Sequence, residues 1–150
     1  MEKTFKGCTP EISLKKKKSE FPKVQIRSSG SAYDFIKKLY SDDVGIYESA
    51  FALLLNRYNN TVGYAKISQG GVHATVVDPI LVAKYAIESL CSKVILVHNH
   101  PSGNLLPSDQ DKIITKKIKD TLGLFDCHLI DHLIVSEEDG FYSFADEGFL

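Results

Sequence analysis

The residues best suited to chemistry lie in one segment, His98-Asn-His-Pro-Ser-Gly-Asn-Leu-Leu-Pro-Ser-Asp-Gln-Asp111, which directly follows the apolar run Lys93-Val-Ile-Leu-Val97. His98 and His100 are two residues apart. If the extended geometry persists, their side chains leave the same face and converge on one ion. Pro101, Ser102-Gly103 and Pro107 turn the chain back, and Ser108 as a helix N-cap puts Asp111 in the first turn as the third ligand. Two imidazoles and a carboxylate suit Zn²⁺, with the fourth tetrahedral position open to water, whose pKa zinc lowers towards about 7. Ser108-x-x-Asp111 is also a capping box in its Asp form, so one carboxylate oxygen is expected to serve the cap and the other the metal. Such a site still needs a base that is not a ligand, and Glu48, Glu88 and Glu147 are the glutamates left open for it.

The elements that must position these groups follow from periodicity. Residues 93–97 read as a central strand. Asp78-Pro79 opens a helix with an Asp cap and Pro in its first turn, with Ile80, Ala83, Ile87 and Leu90 as its buried stripe. A helix over residues 108–122 places Ile114, Ile118 and Leu122 inward and ends at Gly123. Ala32, Phe35, Ile36, Leu39 and Tyr40 form an earlier amphipathic helix capped by Ser29 or Ser31 and stopped by residues 41–45. Residues 47–56 and 61–68 read as a hairpin around Arg57-Tyr-Asn-Asn60, Gly70-Gly71 as a bend, and residues 72–77, 127–135 and 140–144 as further strands. Strands and helices alternate irregularly, so the expected fold is α/β, a mixed sheet flanked by helices in an α-β-α sandwich.

At 150 residues, with 43% apolar and 25% charged side chains, the chain fits one globular core. Eight basic residues (Lys3, Lys6, Lys15, Lys16, Lys17, Lys18, Lys23, Arg27) against Glu2, Glu11 and Glu20 make residues 1–27 a basic arm ahead of a net acidic domain, residues 28–150. The lysines could track nucleic-acid phosphates, but no aromatic residue interleaves with Lys15 to Lys18, so a solvated terminus is the plainer reading. Cys8, Cys91 and Cys127 are odd in number and form no CxxC pair, which points to buried reduced thiols. Without a secretory leader or a membrane-length apolar run, a cytoplasmic location is expected.

HNHPSG followed by PSDQD resembles the RadC-like branch of the JAMM (MPN-plus) metalloprotease superfamily. That superfamily's pattern is an upstream Glu, HxH, seven residues and SxxD. Here it is met by His98-Asn99-His100, seven residues from Pro101 to Pro107, and Ser108 to Asp111. The resemblance runs from about Ser31 to the end, through Gly70-Gly71, Asp78-Pro79, Leu129-Ile-Asp-His-Leu-Ile-Val135 and Tyr142-Ser-Phe-Ala-Asp146. It implies a JAB/MPN, cytidine-deaminase-like fold, one zinc per chain on His98, His100 and Asp111, and hydrolysis of a peptide or isopeptide bond. It places the base on Glu48, in Tyr47-Glu-Ser-Ala-Phe-Ala-Leu-Leu-Leu55, and gives Ser108 the role of hydrogen-bonding the developing oxyanion.

The longer RadC proteins carry a helix-hairpin-helix domain that is not found here. This weakens the family's association with DNA repair, and a non-enzymatic DNA-binding module stands as the alternative. An HNH nuclease distributes its three residues across a ββα unit instead of side by side, and a nucleobase deaminase needs HxE and PCxxC, neither of which occurs. His132 beside Asp131 reads as a structural sheet histidine ahead of a group next to the metal, while His73 and His128 belong to no motif. Substrate identity and oligomeric state are not encoded in any recognisable pattern.

Overall fold

A computed structural model describes residues 7–71 and 75–150. Five strands form one mixed sheet: β1 Ser49–Leu55, β2 Thr61–Gln69, β3 Lys93–Asn99, β4 His128–Val135 and β5 Phe141–Ser143, in the order β2-β1-β3-β4-β5. Only β3 and β4 run parallel; the other neighbours are antiparallel. The helices are α1 Ser29–Ile36, extended by a 3-10 turn over Lys37–Leu39, then α2 Pro79–Ser89 and α3 Asp109–Gly123. The expected α-β-α sandwich is therefore observed.

β1 is buried along its whole length because both sheet faces are covered. Ala50, Ala52, Leu54, Val94 and Leu96 pack under Val82 and Ala86 of α2 and Ile118 and Leu122 of α3. Phe51, Leu53, Leu55, Ile95 and Val97 pack on the other face with Ala32, Phe35 and Ile36 of α1. The hairpin between β1 and β2 turns at Asn59 with φ 62°, a conformation asparagine tolerates, and Asn56 Oδ1 accepts from the amides of Tyr58 and Asn60, each at 3.0 Å.

In β4 the alternation of faces is broken. Val94 pairs with Leu129 and Ile95 with Asp131, leaving Ile130 as a bulge. Leu129 thus joins the α2/α3 core while Leu133, four residues on, joins the α1 core. Between them, His132 turns to the α3 side, where it bonds Thr115.

Several local expectations are corrected. The cap of α1 is Ser28, in a capping box with Ser31, not Ser29 or Ser31 itself. The buried face of α2 is Val82, Ala83 and Ala86, whereas Ile80, Ile87 and Leu90 are exposed. Packed beside α3 on the same face of the sheet, α2 turns its smaller side chains inward, which permits close approach. Of the strand expected over residues 72–77, 72–74 lie outside the described residues, with His73 among them, and 75–77 join no ladder. Cys8 is exposed, while Cys91 and Cys127 are buried with their sulfurs 3.9 Å apart.

Before α1, Ile26 is buried and Phe21 sits edge-on to Phe35 and Tyr64 at 6.1 and 5.7 Å. Val24 O and Ile26 N bond the start of β2 and its turn, while Lys15 to Lys18 are exposed. Among the described residues no helix is long and apolar enough to cross a membrane.

Candidate metal centre

The site forms at the end of the parallel pair, where β3 leaves the sheet. His98, the penultimate residue of β3, shares the α3 face with Val94 and Leu96 and is almost fully buried. His100 lies one residue beyond the strand. A turn closed by the Gly103 amide on the His100 carbonyl, 3.0 Å, reverses the chain, and Gly103 has φ +82°, where a side chain would be strained. The reversal brings the Asn104 carbonyl back to accept from His100 Nδ1 at 2.6 Å. A carbonyl only accepts, so Nδ1 carries the proton and His100 Nε2 keeps a free lone pair.

That lone pair faces His98 Nε2 at 2.8 Å. Asp111 completes the cluster from the first turn of α3, with Oδ1 3.2 Å from His98 Nε2 and Oδ2 3.5 Å from His100 Nε2. The capping box holds it there: Ser108 Oγ accepts from the Asp111 amide at 3.1 Å, and Asp111 Oδ2 accepts from the Ser108 amide at 2.7 Å. Oδ2 therefore serves the cap while Oδ1 faces His98.

Glu48 joins the two histidines from immediately before β1. Its backbone continues the hairpin to Gly70 and Gly71, and its carboxylate and the two imidazole nitrogens all lie within 4.8 Å of one another. Glu88 and Glu147, the other two glutamates left open as base, are exposed and stand outside this cluster. The segment carrying Glu48 is pinned by Asn99, which is fully buried. Asn99 Oδ1 accepts from the Ser49 amide at 2.8 Å, and its Nδ2 donates to the carbonyls of Val44 and Tyr47 at 2.5 and 2.8 Å.

The electrostatics follow from this crowding. Burial pushes the Glu48 carboxyl up, against the pull of His98 and His100. Burial acts in the same sense on Asp111, but its close pairing with His100 and His98 outweighs it and holds that carboxyl well below its usual range. The same pairing with Asp111 draws His100 upward.

Two imidazole nitrogens and a carboxylate pointed at one another, with a second carboxylate beside them, require positive charge at their centre, either a shared proton or a cation. The set is the nitrogen-and-oxygen donor chemistry that zinc accepts, so the residues fit a metal.

Behind the cluster, His132 Nε2 lies 2.7 Å from His98 Nδ1, and His132 Nδ1 lies 2.6 Å from Thr115 Oγ1, which is 2.6 Å from the Asp111 carbonyl. The His132 ring stacks on Phe144 at 4.7 Å and 8°. Asp131 accepts from the amides of His132 and Ala145 and from Ser143 Oγ, which fixes the turn after β5 that carries Phe144. Sequence reasoning missed Asn99 and Thr115. Asn99 sits in plain view between the two histidines, whereas Thr115 carries no signal beyond its place one turn after Asp111. His128 is exposed at the start of β4.

An α/β domain with HxH at the exit of a central strand and an Asp in the next helix's first turn defines a candidate metal-binding fold. Residues 26–149 match the family model described as RadC-like JAB domain, and the chain belongs to that family. It is 41% identical over 124 residues to a UPF0758 protein of Flavobacterium johnsoniae, covering 83% of this chain and 53% of that protein. A UPF0758 protein of Porphyromonas gingivalis is 36% identical over 141 residues, 93% of this chain and 61% of its own length. UPF0758 protein YfjY of Escherichia coli K12 is 37% identical over 128 residues, 85% of this chain and 78% of its length. The chain thus spans between half and two thirds of the first two relatives.

Proposed function

We propose that this domain is a zinc-dependent amide hydrolase acting on a peptide or isopeptide bond. The observation that carries the reading is the convergence of Glu48, His98 and His100 within 4.8 Å, with Asp111 3.2 and 3.5 Å from the two imidazoles. In this reading His98, His100 and Asp111 hold the metal. Bound zinc supplies Lewis acidity towards a water molecule and the substrate carbonyl.

The remaining work falls to the chain's own side chains. Glu48 takes a proton from the attacking water and returns it to the leaving amine; its burial raises its basicity towards the range in which both transfers are easy. Ser108 Oγ accepts from the Asp111 amide, which leaves its own O–H to donate to the oxyanion. The exposure of Ser108 keeps that donor within reach of a substrate.

The test pairs metal analysis with turnover of a peptide and isopeptide library read by mass spectrometry. Wild type should carry about one zinc per chain. His98→Ala and Asp111→Ala should lose it, and Glu48→Gln should keep the metal while losing turnover by about 10²-fold or more. Undiminished zinc in both ligand variants, or equal cleavage by wild type and Glu48→Gln, sinks the reading.

A further inference from the structure

We propose that Thr115 and His132 are positioning residues, forming a one-directional hydrogen-bond chain from the Asp111 carbonyl that fixes His98 as its Nδ1–H tautomer and frees Nε2 for the metal. The inference deepens the zinc-site reading above and rests on it for its purpose, but the direction of the chain follows from hydrogen-bond accounting alone.

The Asp111 carbonyl has no proton to give. Its 2.6 Å contact with Thr115 Oγ1 therefore places the hydroxyl proton between them, since two oxygens that close without a proton would repel. A threonine in a helix commonly makes this bond back to the carbonyl one turn earlier. With its only proton spent, Thr115 Oγ1 must accept at its 2.6 Å contact with His132, so His132 Nδ1 carries a proton. A neutral imidazole has one proton, so His132 Nε2 must accept at its 2.7 Å contact with His98 Nδ1. His98 then holds its own proton on Nδ1, and Nε2 presents a lone pair towards His100 and Asp111.

Each link is fixed from behind. His132 is fully buried and stacked on Phe144, and the Ile130 bulge puts it on this face of the sheet. The chain begins and ends on candidate ligands, Asp111 through its backbone and His98 through its ring. Placement of α3 and ring orientation of His98 are therefore coupled, which is the service that groups behind a metal's ligands provide.

The opposite direction is chemically conceivable and makes a different prediction. If Thr115 donated to His132, then His132 would donate to His98, and His98 would carry its proton on Nε2, aimed at His100 and unable to bind metal. Nitrogen-15 spectroscopy of histidine-labelled, metal-free protein distinguishes the two at a pH where both rings are neutral. The expected result is the Nδ1–H tautomer for both His98 and His132, and the Nε2–H tautomer at His98 overturns the proposal.

Zinc titration against a competing chelator supplies the second arm. Thr115→Val removes both ends of the link and should weaken zinc binding by about 10- to 100-fold, whereas Thr115→Ser should restore wild-type affinity. Equal zinc affinity in wild type and Thr115→Val also overturns the proposal. A wild type that binds no zinc defeats the hydrolase reading instead, and the tautomers of the metal-free protein then decide the direction of the chain by themselves.

Discussion

At the scale of single residues, Asn99 and His132 show how much of the site is built from buried groups behind the candidate ligands. Asn99 satisfies a buried amide and two part-buried carbonyls around Glu48, so Asn99→Ala strands one buried donor, worth about 1–3 kcal/mol, and leaves two carbonyls to water. The expected outcome is a stability loss of about 1–3 kcal/mol by chemical denaturation, with activity falling further than zinc content because Glu48 loses its anchor. His132 has a separate signature. Burial, aided by the charge of His98, depresses its pKa well below 6.5. The unfolded chain takes up that proton as pH falls through about 6.5 while the folded one does not, so this contribution to stability is present above that pH and lost below it. His100 is drawn the other way by Asp111, so the measurable quantity is a difference between proteins. The stability gap between metal-free wild type and His132→Asn should shrink by up to about 1.4 kcal/mol per unit between about pH 6.5 and 5.5. A gap independent of pH would contradict a neutral buried His132.

The convergence of His98, His100 and Asp111 could be read from spacing because two short-range rules, strand alternation and helix capping, act within one loop. The role of His132 could not. Its face depends on the bulge at Ile130, and a bulge in β4 is a property of the pairing with β3 that leaves no mark in β4's own residue types. Even spacing from Leu129 to Val135 invites a regular strand, and regular alternation would bring Leu129 and Leu133 to one face, where the structure separates them.

At the scale of elements, caps were legible and buried faces less so. Asp78 before Pro79, and Ser108 three residues before Asp111, act locally, and both helices start where those signals stand. The inward face of α2 depends instead on what it packs against, and a chain with apolar residues all round the helix does not reveal that. The end of α2 offers a direct test. Leu90 stops the helix in the left-handed conformation, φ 53°, while 87% exposed. A side chain there costs roughly 1–2 kcal/mol, which glycine avoids at some cost in chain entropy. Leu90→Gly should therefore stabilise the protein by about 0.5–1 kcal/mol in a thermal melt, and Leu90→Ala should not.

On the scale of the whole molecule, the mixed sheet covered on both faces was foreseeable from irregular alternation of strand-like and helical stretches. The way residues 21–26 pack against α1 and the start of β2 was not, because a basic, proline-containing stretch gives no periodic signal. One feature of the centre also bears on the denatured chain. The candidate ligands His98, His100 and Asp111 come from a single short stretch of sequence, while Glu48 arrives from a distant hairpin. If the centre holds zinc as proposed, a denatured chain still offers the ion a local chelating loop, weaker than the folded centre. Zinc at 100 times its dissociation constant would raise unfolding free energy by about 2.7 kcal/mol if only the folded form bound it. Here the measured gain should fall short of that figure, and zinc-bound chains should persist in denaturant, so that the ion can accompany the polypeptide through unfolding and be in place before the sheet re-forms.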